Sequence, residues 1–177
     1  MRVLLGVAAL AAFLIGAGEA KAQDRDPCKP GMVCASAPDT VIAAMERAGL
    51  KPKRTADDQG DPMLESDEAA FHFDVYFYGC EQHKNCDSLR FEVMFRQGSE
   101  NTTVLVNKWN AQSRFLSTAV RPNGTLVASY DVATIGGLNE RNFADVLDWW
   151  KSELEELGLF FQKELKLGES ANDPKAH

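Results

Sequence analysis

The chain has 177 residues and a formal net charge of −7, with 26 Asp and Glu against 19 Lys and Arg. An acidic chain without a basic stripe argues against nucleic acid or an anionic lipid surface as its partner.

The N-terminus reads as an export signal. Arg2 supplies the positive region, Val3 to Gly18 is rich in Ala, Leu and Val, and Ala20-Lys21-Ala22 places small residues where a signal peptidase reads them. The run is short for a membrane span, which needs about twenty apolar residues. Residues 1–22 are therefore expected to be cleaved, leaving a mature chain without a membrane span, periplasmic or secreted; a retained N-terminal anchor is the alternative. All four cysteines (Cys28, Cys34, Cys80 and Cys86) lie in the mature part. An even number in an exported chain points to disulfides. Five residues separate the members of each close pair, outside the usual two-to-four-residue spacing of zinc sites. Cys28–Cys34 and Cys80–Cys86 are the favoured pairs, although His72 and His83 near the second pair make a metal site conceivable. No metal or cofactor is assigned.

Residues 23–36 are polar, contain Pro27, Pro30 and Gly31, and read as a loop clipped by its own disulfide. A helix follows. Ser36 and Asp39 stand at capping-box spacing, Pro38 suits the first turn, and Val41, Ile42, Met45 and Ala48 recur at helical spacing before Gly49. Lys51 to Thr55 reads as a short edge strand. The next stretch holds Asp57, Asp58, Asp61, Glu65, Asp67 and Glu68. A calcium loop starting at Asp57 would need glycine where Pro62 stands, and Gln59 weakens its ligand set. A solvated inter-strand loop is expected instead.

Two period-two strands come next. Phe71, Phe73, Val75 and Phe77 alternate with His72, Asp74, Tyr76 and Tyr78, and Leu89, Phe91, Val93 and Phe95 alternate with Arg90, Glu92 and Met94. If Cys80 sits opposite Cys86 in an antiparallel hairpin, Phe77 meets Leu89, Val75 meets Phe91, Phe73 meets Val93 and Phe71 meets Phe95. A slip of one residue would destroy this match by flipping one strand's side chains. The same register puts Tyr76 opposite Arg90, suiting a cation–π contact. It also puts Asp74 opposite Glu92, a repulsion that Arg90 could relieve diagonally.

Thr103 to Gln112 fits strand and helix equally by pattern. Phe115 to Arg121 and Leu126 to Thr134 read as strands joined by the turn Pro122-Asn123-Gly124-Thr125. After Gly136-Gly137, a long amphipathic helix carries Phe143, Val146, Leu147, Trp150, Leu154, Leu157 and Phe161 on one stripe. Trp149, about a hundred degrees from Trp150, is left exposed or packed on the helix flank; an exposed Trp beside Phe160 would suit an interface. Residues 37–167 form one expected α+β domain, and 168–177 a polar tail expected to be disordered.

Several local motifs carry a family resemblance. They are Tyr78-Gly79-Cys80, Cys86-x-x-Leu89-x-Phe91, Asn107-Lys108-Trp109-Asn110 with Arg114-Phe115, Gly136-Gly137, and Trp149-Trp150. Together with the order helix, three antiparallel strands, helix, two strands, long C-terminal helix, they resemble the YbjN domain family of sensory-transduction-regulator-like bacterial proteins, over roughly Pro38 to Phe161. The resemblance implies that Thr103 to Gln112 is a helix, and that the fold is similar to the class I chaperones of type III secretion, a sheet backed by helices. Class I chaperones pair, so it also raises a homodimer, which no residue of this sequence requires. The family supplies no established catalytic residues. Its regulatory label comes mainly from cytoplasmic members, whereas this chain carries an export signal.

The residues themselves offer little catalytic machinery. There is no Gly-x-Ser-x-Gly, Gly-x-Gly-x-x-Gly or phosphate loop, and none of the three histidines belongs to a recognisable nucleophile motif. Paired carboxylates of the glycosidase kind stay open, since their separation is invisible in sequence. Trp109 reads as a core residue, with the asparagines around it satisfying backbone at a helix end. The expected function is a non-enzymatic envelope module binding a protein or peptide through Tyr76, Tyr78, Met94 and Trp149. The alternatives are a periplasmic small-ligand or stress sensor and, behind it, an unrecognised hydrolase.

Overall fold

The computed structural model describes residues 27–165. The expected signal peptide, residues 1–22, and the tail, 168–177, lie outside the described residues. In chain order the first elements are β1 (Met32–Val33), α1 (Pro38–Arg47), β2 (Lys53–Ala56), β3 (Pro62–Glu68), β4 (Phe71–Tyr78) and β5 (Ser88–Phe95). Then come α2 (Thr103–Asn110), β6 (Ser117–Val120), β7 (Leu126–Ala133), β8 (Leu138–Asn139) and α3 (Glu140–Glu164). Six strands form one antiparallel sheet in the order β2-β3-β4-β5-β7-β6, and β1 pairs separately with β8.

Both disulfides are formed, Cys28–Cys34 and Cys80–Cys86, with Cα atoms 5.9 Å and 3.9 Å apart. The first clips the segment that β1 docks beside α3, where the Ala35 amide donates to Thr134 Oγ1 at 2.9 Å. Helix α1 begins at Pro38, whose fixed φ and missing N–H suit the first helical position. The N-cap is therefore Ala37, with no side-chain bond, and the expected Ser36–Asp39 capping box does not form. At the other end Gly49 takes φ +85°, and the Gly49 and Leu50 amides reach Glu46 and Met45 carbonyls at 3.0 Å. This left-handed closure is why the helix stops there.

The α+β class and helix-flanked order hold, but four strands rather than three lie between α1 and α2. The carboxylate-rich stretch is not one loop. Only Asp57 to Asp61 turns, with Asp57 Oδ1 accepting from the Gln59 and Asp61 amides at 2.9 Å; the rest is β3. Its Leu64 and Ser66 face the core, while Met63, Glu65 and Asp67 face outward. An acidic outer face on a strand looks like a polar loop until its neighbour is known.

Strands β4 and β5 pair in the expected register, from Asp74 opposite Glu92 through Val75–Phe91 and Phe77–Leu89 to Tyr78–Ser88. Beyond that ladder Phe71 and Phe95 still meet edge to face at 5.8 Å. Thr103–Asn110 is helical, with the Thr102 hydroxyl accepting from the Leu105 amide at 3.1 Å. The hydrophobic stripe of α3 is buried throughout, and Trp150 fills the centre against Phe73 and Phe91, at 5.3 and 5.4 Å. Trp109 is buried against Phe160 at 5.4 Å and donates its indole N–H to the Leu116 carbonyl at 2.8 Å. Phe160 is thus core, not an interface neighbour of Trp149. Helix and strand residues share one hydrophobic cluster on a single face of the sheet.

Candidate functional site

Alternation decides what the opposite face carries. With Phe73, Val75 and Phe77 turned inward, β4 presents His72, Asp74, Tyr76 and Tyr78 outward, and β5 presents Arg90, Glu92 and Met94. Strand β7 adds Val127, Ser129 and Asp131 opposite Met94, Glu92 and Arg90. None of these outward residues belongs to the core cluster.

Aromatic rings and paired charges make up the centre of this face. The Tyr76 and Tyr78 rings lie 6.4 Å apart. Arg90 donates from Nε and Nη2 to the two Asp131 carboxylate oxygens at 2.7 and 2.8 Å. This forked bond holds the guanidinium, raises its pKa, and leaves its carbon 5.6 Å from the Tyr78 ring centroid. The cation–π contact is therefore with the diagonal Tyr78, not with the directly opposite Tyr76. Tyr78, Ser88, Arg90, Asp131 and Ala133 enclose an open depression of about 430 Å³.

Asp74 and Glu92 stand opposite each other as expected; Arg90 is tied to Asp131, and its charge bears on Glu92. Glu92 is buried and accepts from Arg121 Nη2 at 2.7 Å. Asp74 instead accepts from the Tyr76 hydroxyl at 3.3 Å and has His72 Nε2 at 3.8 Å. Burial raises the Asp74 pKa above the usual carboxylate value. Burial first, and then the charges of Asp74 and Glu92, push the Tyr76 phenol up to about 12.

Met94 lies further along, 51% exposed, beside a Val127 that is buried although outside the core cluster. Tyr78 is 44% exposed. Three of the four expected binding residues thus share one face. Trp149 does not join them: it sits on α3, 42% exposed, with its ring stacked on Phe115 at 4.3 Å and 7°. Phe115 is itself held by Arg114, 4.6 Å from its centroid, and by its backbone N–H, which donates to Glu153 Oε1 at 3.4 Å. This is the helix-flank contact, on a separate surface.

His72 and His83 each lie within hydrogen-bond distance of an aspartate. His72 Nδ1 lies 3.0 Å from Asp67, and His83 Nδ1 lies 2.8 Å from Asp61, tying the β4–β5 loop to the β2–β3 turn. Among the described residues no group of three or more His, Cys, Asp or Glu side chains stands where it could hold a metal ion. No helix among them is long and apolar enough to cross a membrane.

These features define an α+β domain whose antiparallel sheet is backed by helices on one face and displays aromatic and charged side chains on the other. The profile of the YbjN family, described as "putative bacterial sensory transduction regulator", matches residues 37–163, and the chain belongs to that family. Among solved structures it is similar to the crystal structure of YbjN from E. coli, titled "a putative transcription regulator". That likeness has a TM-score of 0.56 and 12% identity, and covers 76% of this chain and 96% of the other. At that identity it is a likeness of fold. Comparison with curated proteins finds no match.

Asp131 and Arg121 escaped sequence reasoning. Their partners sit 41 and 29 residues away in the chain, and no local spacing announces them. Strand β3 had a usable signal in the alternation of Leu64 and Ser66 with Met63, Glu65 and Asp67, masked by its carboxylates.

Proposed function

We propose that the protein is a non-enzymatic binding module of the cell envelope that holds a peptide or protein segment against the open face of its sheet. The reading rests on one observation above all: Tyr76, Tyr78 and Met94 emerge together on a sheet face that no helix of the described residues covers. Tyrosine offers contact area with a polar tip, and methionine adapts to irregular partners, so an extended segment would find both anchorage and tolerance there. The family's regulator description supports a role exercised through binding rather than turnover. Two disulfides support an oxidising compartment, in keeping with an export signal at residues 1–22.

The test is a photo-crosslinker placed at Tyr76 and, separately, at Trp149 in intact cells, with mass spectrometry of the adducts. A specific envelope protein captured from Tyr76 supports the open-face reading. Capture from Trp149 alone would move the site to the helix side. Self-adducts alone would indicate a homodimer through the labelled surface, and no adduct at either position would sink the interface in favour of a small-ligand sensor. Alanine at Tyr76, Tyr78 or Met94 should lower capture while leaving the far-ultraviolet circular dichroism unchanged.

A further inference from the structure

We infer that the segment received by the open sheet face is basic: an extended stretch of a partner protein that sets an arginine or lysine against Asp74. The inference rests on the peptide reading above and names the chemistry of its partner. Charge on the face is not balanced. The strands turn Glu65, Asp67, Asp74, Glu92 and Asp131 outward, and the cations that meet them there are Lys53, Arg90 and Arg121. All three cations are already paired within the face. Lys53 Nζ meets Glu65 at 3.1 Å, while Arg90 and Arg121 hold Asp131 and Glu92.

Asp67 and Asp74 are what remains. Among the described residues no lysine or arginine pairs with either. His72 lies between them, Nδ1 3.0 Å from Asp67 and Nε2 3.8 Å from Asp74, and is a cation only when protonated. The two carboxylates differ in their need. Asp67 is 81% exposed, and water serves it well. The Asp74 side chain is only 23% exposed and stands between two other carboxylates, opposite Glu65 in β3 and Glu92 in β5. Burial, with Glu65 beside it, raises its pKa beyond what the Tyr76 hydroxyl and His72 recover. An incoming cation relieves a carboxylate held in this way, so its charge gains most at Asp74.

The neighbours of Asp74 fix the rest of the segment. Along β4, Tyr76 and Tyr78 follow it at two-residue steps of about 7 Å each, on the same face. An extended segment running along β4 has the same step. A basic residue over Asp74 therefore brings the residues two and four places away over Tyr76 and Tyr78, where apolar side chains find cover. The Tyr76 hydroxyl lies 3.3 Å from Asp74, so a guanidinium at the carboxylate also lies beside an aromatic ring. An acidic segment would meet Asp74 and Glu65 instead, with every cation of the face already paired.

The experiment is an NMR titration of the disulfide-bonded protein with three extended peptides rich in threonine and valine. They differ only at a central residue, which is arginine, citrulline or glutamate, with valine two and four places beyond it. The arginine peptide should shift the amides of Asp74, Tyr76 and Glu92 saturably. It should bind about three- to tenfold more tightly than the citrulline peptide, its uncharged isostere, with the glutamate peptide weakest. Asp74→Asn should erase the arginine preference, and added salt should shrink it. Equal binding of the three peptides at those amides would overturn the basic partner and leave the open-face reading standing. An arginine preference that survives in Asp74→Asn would overturn Asp74 as its receiver. Free arginine amide binding as tightly as the arginine peptide would overturn the segment in favour of a small cation. Shifts only at other surfaces, or none from any peptide, would sink the open-face reading and this inference together.

Discussion

Arg121 and Glu92 meet at 2.7 Å on the open sheet face, with the Glu92 side chain only 5% exposed. A carboxylate so covered needs its counter-charge. Arg121→Ala leaves that charge uncompensated and should destabilise the fold by about 1–3 kcal/mol, below the range for a fully buried pair because Arg121 is 42% exposed. The double change Arg121→Met with Glu92→Met should cost less than Arg121→Ala alone. Urea midpoints of the three variants check this.

Asp74 is held unfavourably at neutral pH. Its folded pKa is raised by burial, and Glu92 stands opposite, so the ionised form is the one folding disfavours. Asp74→Asn keeps an oxygen for the Tyr76 hydroxyl and should stabilise the protein at pH 7 by less than about 1 kcal/mol. The gain should shrink as the pH falls through the raised folded-state pKa and be gone below 3.8, where Asp74 is protonated in folded and unfolded chain alike. Denaturation at pH 7 and at stepwise lower pH tests both parts.

Tyr76 titrates late. With its folded pKa raised from 10.0 to about 12, it binds its proton more tightly folded than unfolded. Its contribution to stability is complete below pH 10 and is lost as the pH rises toward 12. Ultraviolet difference titration should show one phenol ionising near 12 that is absent in Tyr76→Phe, and that variant should lose less stability across this window.

Asn110 closes the free edge of β6. Its amide nitrogen donates to the Thr118 carbonyl at 2.9 Å, and its oxygen accepts from the Thr118 amide at 2.8 Å, as a neighbouring strand would. Asn110→Ala should cost about 1–3 kcal/mol and speed hydrogen exchange at the Thr118 amide specifically. Unchanged exchange there would remove this role.

Each disulfide closes a short loop. Peptide mapping without reduction should recover Cys28 linked to Cys34 and Cys80 linked to Cys86. Replacing Cys80 and Cys86 together by serine should lower stability by about 2 kcal/mol through the freed loop alone. The loop they close holds Gln82, His83 and Asn85 at positive φ, so their release should appear as local exchange ahead of global unfolding.

The hairpin was legible in the sequence because two independent constraints, apolar alternation and the cysteine pair, agree on a single register. The α3 stripe was legible because seven apolar residues repeat at helical period over a long segment. Thr103 to Asn110 was not legible from pattern: in eight residues strand and helix periods overlap, and only family resemblance pointed to helix. Strand β3 was hidden because its outer face is acidic. The capping box failed because Pro38 began the helix one residue later than the Ser36–Asp39 spacing required.

Local chemistry alone determined the class of fold, the core faces of α3, β4 and β5, and the placing of Tyr76, Tyr78 and Met94 opposite the core side of their strands. Periodicity does that because a side chain's face depends only on its position along its own element. Tertiary structure decided the rest: that Arg90 leans on Tyr78, that Arg121 neutralises Glu92, and that Trp149 stacks on Phe115 away from the sheet. Those relationships join residues far apart in the chain, and which strand lies beside which is set by packing of the whole core, not by any local spacing.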